Sequence, residues 1–172
     1  CKNSSISSHR VWGLDTLEKR TLVTLAGICL MLGACTTAPS TPKWTYPTTT
    51  VNGVTPPGKL QKLTDTSTML DTKQSDGSRL LVMKGTRLAG TRVGIHVHEY
   101  GGHTCVLSGE ITDFVEGKAN GHYPAGTCYY MPADTQMSAS NLGTEDAVLI
   151  DTFMLPYGVP PITILEPGYD VE

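Results

Sequence analysis

His96-Val97-His98 has the spacing most suited to chemistry in this chain. On a β-strand, residues i and i+2 point to the same face. Two imidazoles so placed converge on one point, as a metal ion requires. The same spacing also occurs in histidines that only pack or face solvent. Other reactive groups nearby are less well placed. Glu99 follows His98 directly, so alternation turns it away from that point. Glu110 sits beside Gly109 at a strand edge, and His122 sits beside a turn, where it should be exposed. Tyr129 and Tyr130 must face opposite ways, so one of them should face inward with the histidines. No nucleophile–base pair stands out.

The elements that must position these groups read as strands. Gly 18 and Pro 11 are too many for a helical protein, and 39% hydrophobic residues can support one core. Short apolar or alternating runs lie at 80–83, 90–98, 104–107, 111–115, 127–131, 137–141 and 147–153, with 162–165 as a last edge strand. Each is bounded by Gly, Pro, Asn or Asp, the pattern of a β-sandwich or barrel. Asn120-Gly121 is expected to form a tight turn. No segment has a sustained helical period. The net charge of -3, with no basic run, excludes a nucleic-acid binder.

The N-terminal third has another character. Lys19 and Arg20 precede an apolar run, Thr21 to Leu32, that ends in Leu32-Gly33-Ala34-Cys35. The run is too short to span a bilayer, which takes about 20 residues. It resembles a bacterial lipobox, which implies cleavage before Cys35 and lipidation of that cysteine. A plain secretory signal is the alternative. No Met precedes Met31, and a start at Leu17 would give a leader of ordinary length, so residues 1–16 are expected to be untranslated. Residues 35–59 are rich in Thr and Pro and read as a disordered tether. The expected organisation is thus a leader at 1–34, a lipid-anchored linker at 35–59 and a folded domain at 60–172 with its core at about 80–157. The expected place is the bacterial cell envelope, membrane-anchored through Cys35 and facing the periplasm. Thr36 after the cysteine favours the outer membrane where there is one.

Three glycines and two further residues complete the pattern. Gly90, His96, His98 and Gly109 match the spacing G-x5-H-x-H-x3-E-x6-G, and Gly126, Pro132 and Asn141 match G-x5-P-x-G-x2-H-x3-N. The chain therefore resembles the cupin superfamily over roughly residues 80–157. The resemblance implies an all-β fold, a single jelly-roll barrel of two antiparallel sheets, and often a homodimer. It also implies a divalent metal (Fe, Mn, Zn, Ni or Cu) on three His and one Glu inside the barrel.

His96 and His98 match the first two ligand positions. The Glu position falls at Gly102, the last His position at Met137 and the second-motif Gly at Asp134. Three readings remain open. His103 would replace the Glu if Tyr100-Gly101-Gly102 bulges by one residue, although strict alternation turns it outward. Met137 is either a thioether ligand, suiting Cu(I), or a barrel filler. Or no metal binds, and the barrel holds a small molecule or nothing. In a jelly roll the strands carrying Cys105 and Cys128 should lie side by side, so a disulfide is expected between them. Two functions follow: a binding protein for a small molecule or metal, or a metal-dependent, dioxygenase-like enzyme acting on a small organic substrate.

Overall fold

The computed structural model describes residues 44–169. The described chain has twelve strands: β1 (Lys59–Leu60), β2 (Thr64–Lys73), β3 (Ser78–Arg87), β4 (Thr91–Arg92), β5 (His96–Val97), β6 (Gly102–Ser108), β7 (Glu110–Val115), β8 (Gly121–Pro124), β9 (Cys128–Met131), β10 (Met137–Ser140), β11 (Ala147–Pro156) and β12 (Thr163–Ile164). One sheet of five strands runs β2-β3-β11-β6-β9. The other, of seven strands, joins β1, β4, β10, β5 and β12, with β7 on β10 and β8 on β7. From β3 onward the chain passes back and forth between the two sheets. All pairings are antiparallel except β1 with β4 and the isolated bridge of His98 with Ala133. This is the two-sheet jelly-roll barrel that the resemblance implied, within the sandwich-or-barrel class that the strand pattern indicated.

The core lies between the sheets, where alternating residues of both meet. On β11, Ala147, Leu149, Phe153 and Leu155 are buried, and on β7, Ile111 and Val115 are. On β6, Gly102, Thr104 and Val106 are the inward residues. Gly109 closes the tight β6–β7 turn in the left-handed region, φ 70°. A Cβ there would lie 2.8 Å from the backbone of Asp146 and Ala147, so only glycine fits.

Several expectations need correction. β2, a ten-residue strand, was not foreseen. Its sequence, TDTSTMLDTK, is polar and mostly exposed, because it is the outer edge of its sheet and has no clean buried face. The 90–98 run forms two short strands instead of one, interrupted at Val93–Ile95. The hairpin between β7 and β8 turns at Glu116-Gly117, with Gly117 at φ 77°, and Asn120 and Gly121 do not take positive φ. The chain is docked on the barrel well before residue 60. Thr48 N–H donates to Leu165 O (3.1 Å), Val51 is buried, and the Asn52 amide donates to Val115 O and Lys118 O, each at 3.0 Å. Apolar contacts and satisfied turn donors hold this segment where composition alone suggested free chain. Cys35 and the leader lie outside the described residues.

Cys105 on β6 stands in register with Cys128 on β9, and the two sulfurs are bonded (2.05 Å).

Candidate functional site

Gly94, Ile95 and β5 place both imidazoles inside the barrel. Ile95 and Val97 point the other way and are fully buried. Leu165 N–H and Glu166 N–H both donate to Ile95 O, at 2.8 and 3.1 Å. Glu166 accepts a two-pronged bond from Arg92 (2.5 and 2.7 Å) and another from Ile95 N–H (2.9 Å). β5 is thus held along both edges, by β10 on one side and by β12 and the residues after it on the other.

His96 Nδ1–H donates to Gly94 O at 2.7 Å, and His98 Nδ1–H donates to Pro161 O at 2.6 Å. A carbonyl oxygen can only accept, so each Nδ1 carries the proton. Each neutral ring then presents a bare lone pair on Nε2. The two Nε2 atoms face each other at 3.1 Å. Two lone pairs at that distance repel unless something positive lies between them. A proton is a poor candidate at neutral pH. Burial, the neighbouring ring and Arg87 together push His96 down to about 3, and burial lowers His98 as well. A metal bonds imidazole nitrogen at about 2.0–2.1 Å, so one cation can reach both atoms across this gap. Nδ1 bonded to a backbone carbonyl is also the usual support for a metal-bound imidazole.

The other ligand positions are filled differently. Gly102 occupies the carboxylate position, and a Cβ there would meet Phe153 Cδ1 at 2.6 Å and Met131 Cε at 2.9 Å. The Phe153 ring, 5.3 Å from that of His98, closes the space a carboxylate would need. Met137 pairs in register with His96, is buried, and lines the same cavity. His103 does not join the site. β6 alternates regularly from Gly102 to Val106, its one register shift falling later, at Leu107, so His103 is exposed and packs on Tyr130 at 5.2 Å. Among the described residues, no group of three or more His, Cys, Asp or Glu is placed to hold a metal. The residues thus fit a cation through two imidazoles, with a thioether as neighbour, and do not fit the three-His, one-Glu set.

The cavity between the sheets measures about 440 Å³, within the range of small-molecule sites. Tyr129 faces into it and Tyr130 faces out. Glu110 and His122 form only a loose surface contact, 3.7 Å apart. Sequence reasoning missed Arg87, Asp151 and Tyr169, which also line the cavity. Asp151 had a readable signal: it is the one charged residue among the alternate positions 147, 149, 151, 153 and 155, which are otherwise apolar. Its Oδ1 accepts the Thr104 hydroxyl at 2.6 Å.

No protein-family model matches the chain, and no curated protein matches it. Solved structures do. An RmlC-like cupin family protein with a double-stranded β-helix fold from Methanocaldococcus jannaschii is 15% identical, over 53% of this chain and 79% of that one, at TM-score 0.46. An uncharacterised protein with a double-stranded β-helix domain from Klebsiella pneumoniae is 22% identical, over 62% and 90%, at TM-score 0.46. Oxalate decarboxylase from Bacillus subtilis is 18% identical, over 54% of this chain and 29% of that one, at TM-score 0.43.

Proposed function

We propose that this protein is a cupin-type binding domain that holds a small molecule in its barrel beside one metal ion bound by His96 and His98. The observation that carries the reading is the pair of Nε2 lone pairs meeting at 3.1 Å, with both Nδ1 protons committed to carbonyls. An ion there would polarise an oxygen of the bound molecule. His96 and His98 hold it, and Gly94 O and Pro161 O fix their tautomers. The apolar walls and Phe153 limit water. The enzyme reading needed a third inward imidazole, and His103 does not supply it. The binding reading is therefore favoured over dioxygenase-like catalysis.

The test is metal content by elemental mass spectrometry on tag-free protein exposed in turn to Fe, Mn, Zn, Ni and Cu. Near-stoichiometric metal is expected, and its loss is expected in the His96→Ala, His98→Ala double variant. Soft sulfur favours copper, so Met137→Leu should weaken copper retention more than zinc retention if the thioether takes part. No metal under any condition would remove the reading.

We further propose that Cys35 is lipidated and anchors the domain to the cell envelope, on the strength of the Leu32-Gly33-Ala34-Cys35 sequence. Radiolabelled palmitate should enter the protein and not its Cys35→Ser variant. Equal labelling of both would reject the anchor.

A further inference from the structure

Arg87 is a buried cation that the metal site does not use. It ends β3 and is 3% exposed, and its guanidinium opens on the cavity that holds His96 and His98. Nη1–H donates to Gln61 O, and the side chain also bonds Tyr169. A guanidinium has five N–H donors in a planar fork, so these partners leave donors for a ligand. Among the described residues, no carboxylate lies within ion-pair distance of it. Asp151 shares the cavity and attracts Arg87 across it; burial pushes its carboxyl up, and the Thr104 hydroxyl and Arg87 pull it back down. Burying a cation with no carboxylate in contact is costly, and a bound anion on the fork would offset that cost. Other walls of the cavity are apolar, Ile111, Leu149 and Phe153 among them.

We propose that the cavity takes a small organic monocarboxylate, its carboxylate on the Arg87 fork and its apolar body against Ile111, Leu149 and Phe153. The inference rests on the reading of the barrel as a ligand site. A guanidinium fork matches two carboxylate oxygens in one plane. One cation in an apolar chamber matches a singly charged, largely apolar ligand better than a phosphate dianion, which needs more donors.

Isothermal titration of metal-free full-length protein tests this, with benzoate and phenylacetate against their uncharged counterparts benzamide and benzyl alcohol. The carboxylates are expected to bind roughly 10- to 100-fold more tightly, the value of one charge-assisted bond. Arg87→Met should remove that preference, and Arg87→Lys should keep part of it. Should Arg87→Met fail to fold, the comparison of acid with amide on the unaltered protein still decides. Equal affinity for acid and amide would overturn the carboxylate assignment and leave the barrel as a ligand site. Binding of neither would overturn both, while metal retention on His96 and His98 is read separately.

Discussion

Glu166→Ala is expected to destabilise the protein by about 3–5 kcal/mol, the usual cost of leaving half of a buried ion pair. Arg92 and Glu166 are 5% and 6% exposed, so neither charge has much access to water. Removing the carboxylate strands the guanidinium and also the Ile95 N–H that bonds Glu166. Among the described residues Arg92 Nε has no hydrogen-bond partner, and Val93 O, 3.4 Å from Nη1, is the other acceptor at hand. Replacing both partners by leucine should cost less than Glu166→Ala alone, because no unpaired charge remains. The effect should reach the histidines. The segment that Glu166 pins carries Pro161, whose carbonyl fixes the His98 tautomer. Losing such a support typically weakens metal binding by about 10- to 100-fold. Urea unfolding and metal titration of the same variant would check both. A stability change below about 1 kcal/mol, or metal affinity unchanged in a destabilised protein, would show that the clamp does not govern the site.

That clamp also marks where sequence reading stops. Alternation is a local rule, and it placed the inward residues of β6 correctly, with Thr104 in and His103 out. It required one of Tyr129 and Tyr130 to face inward without saying which, and Tyr129 is the buried one. The spacing of His96 and His98 was legible because strand geometry alone makes them converge. The partners of those rings were not. Arg92 and Glu166 are 74 residues apart, and His98 and Pro161 are 63 apart, so no window contains both members. The Pro-rich C-terminal run gives no periodicity, yet its backbone carbonyl sets the chemistry of His98. β2 was invisible for the opposite reason. An edge strand needs pairing on one side and little burial, so polar residues suffice. Arg87 was passed over because β3 reads as apolar at its start, and its charged end was not weighed as inward-facing.

Asp113 carries the second large effect, and its sign is opposite to that of most protein carboxylates. It lies on β7 between Ile111 and Val115 on the buried face, with its Oδ1 lacking a hydrogen-bond partner among the described residues. Burial pushes the carboxyl up to about 7, against weaker opposing pulls from Lys118 and the Phe114 amide. The folded state therefore holds a proton that the unfolded chain releases near its ordinary value of 3.8. Below that value both states are protonated and Asp113 costs nothing. As pH rises from about 4 to about 7, only the unfolded state gains by ionising, so stability falls. Above about 7 the folded state bears a buried charge and the loss is complete, about 4 kcal/mol at about 1.4 kcal/mol per unit. Asp113→Asn keeps the shape of the protonated carboxyl and cannot ionise. It should be clearly more stable than the parent at pH 8, by roughly that amount, with the gap closing by pH 4. Urea midpoints at both pH values measure this directly. Parallel pH profiles for the two proteins would mean that Asp113 ionises freely in the folded state, which would require water to reach the buried face of β7.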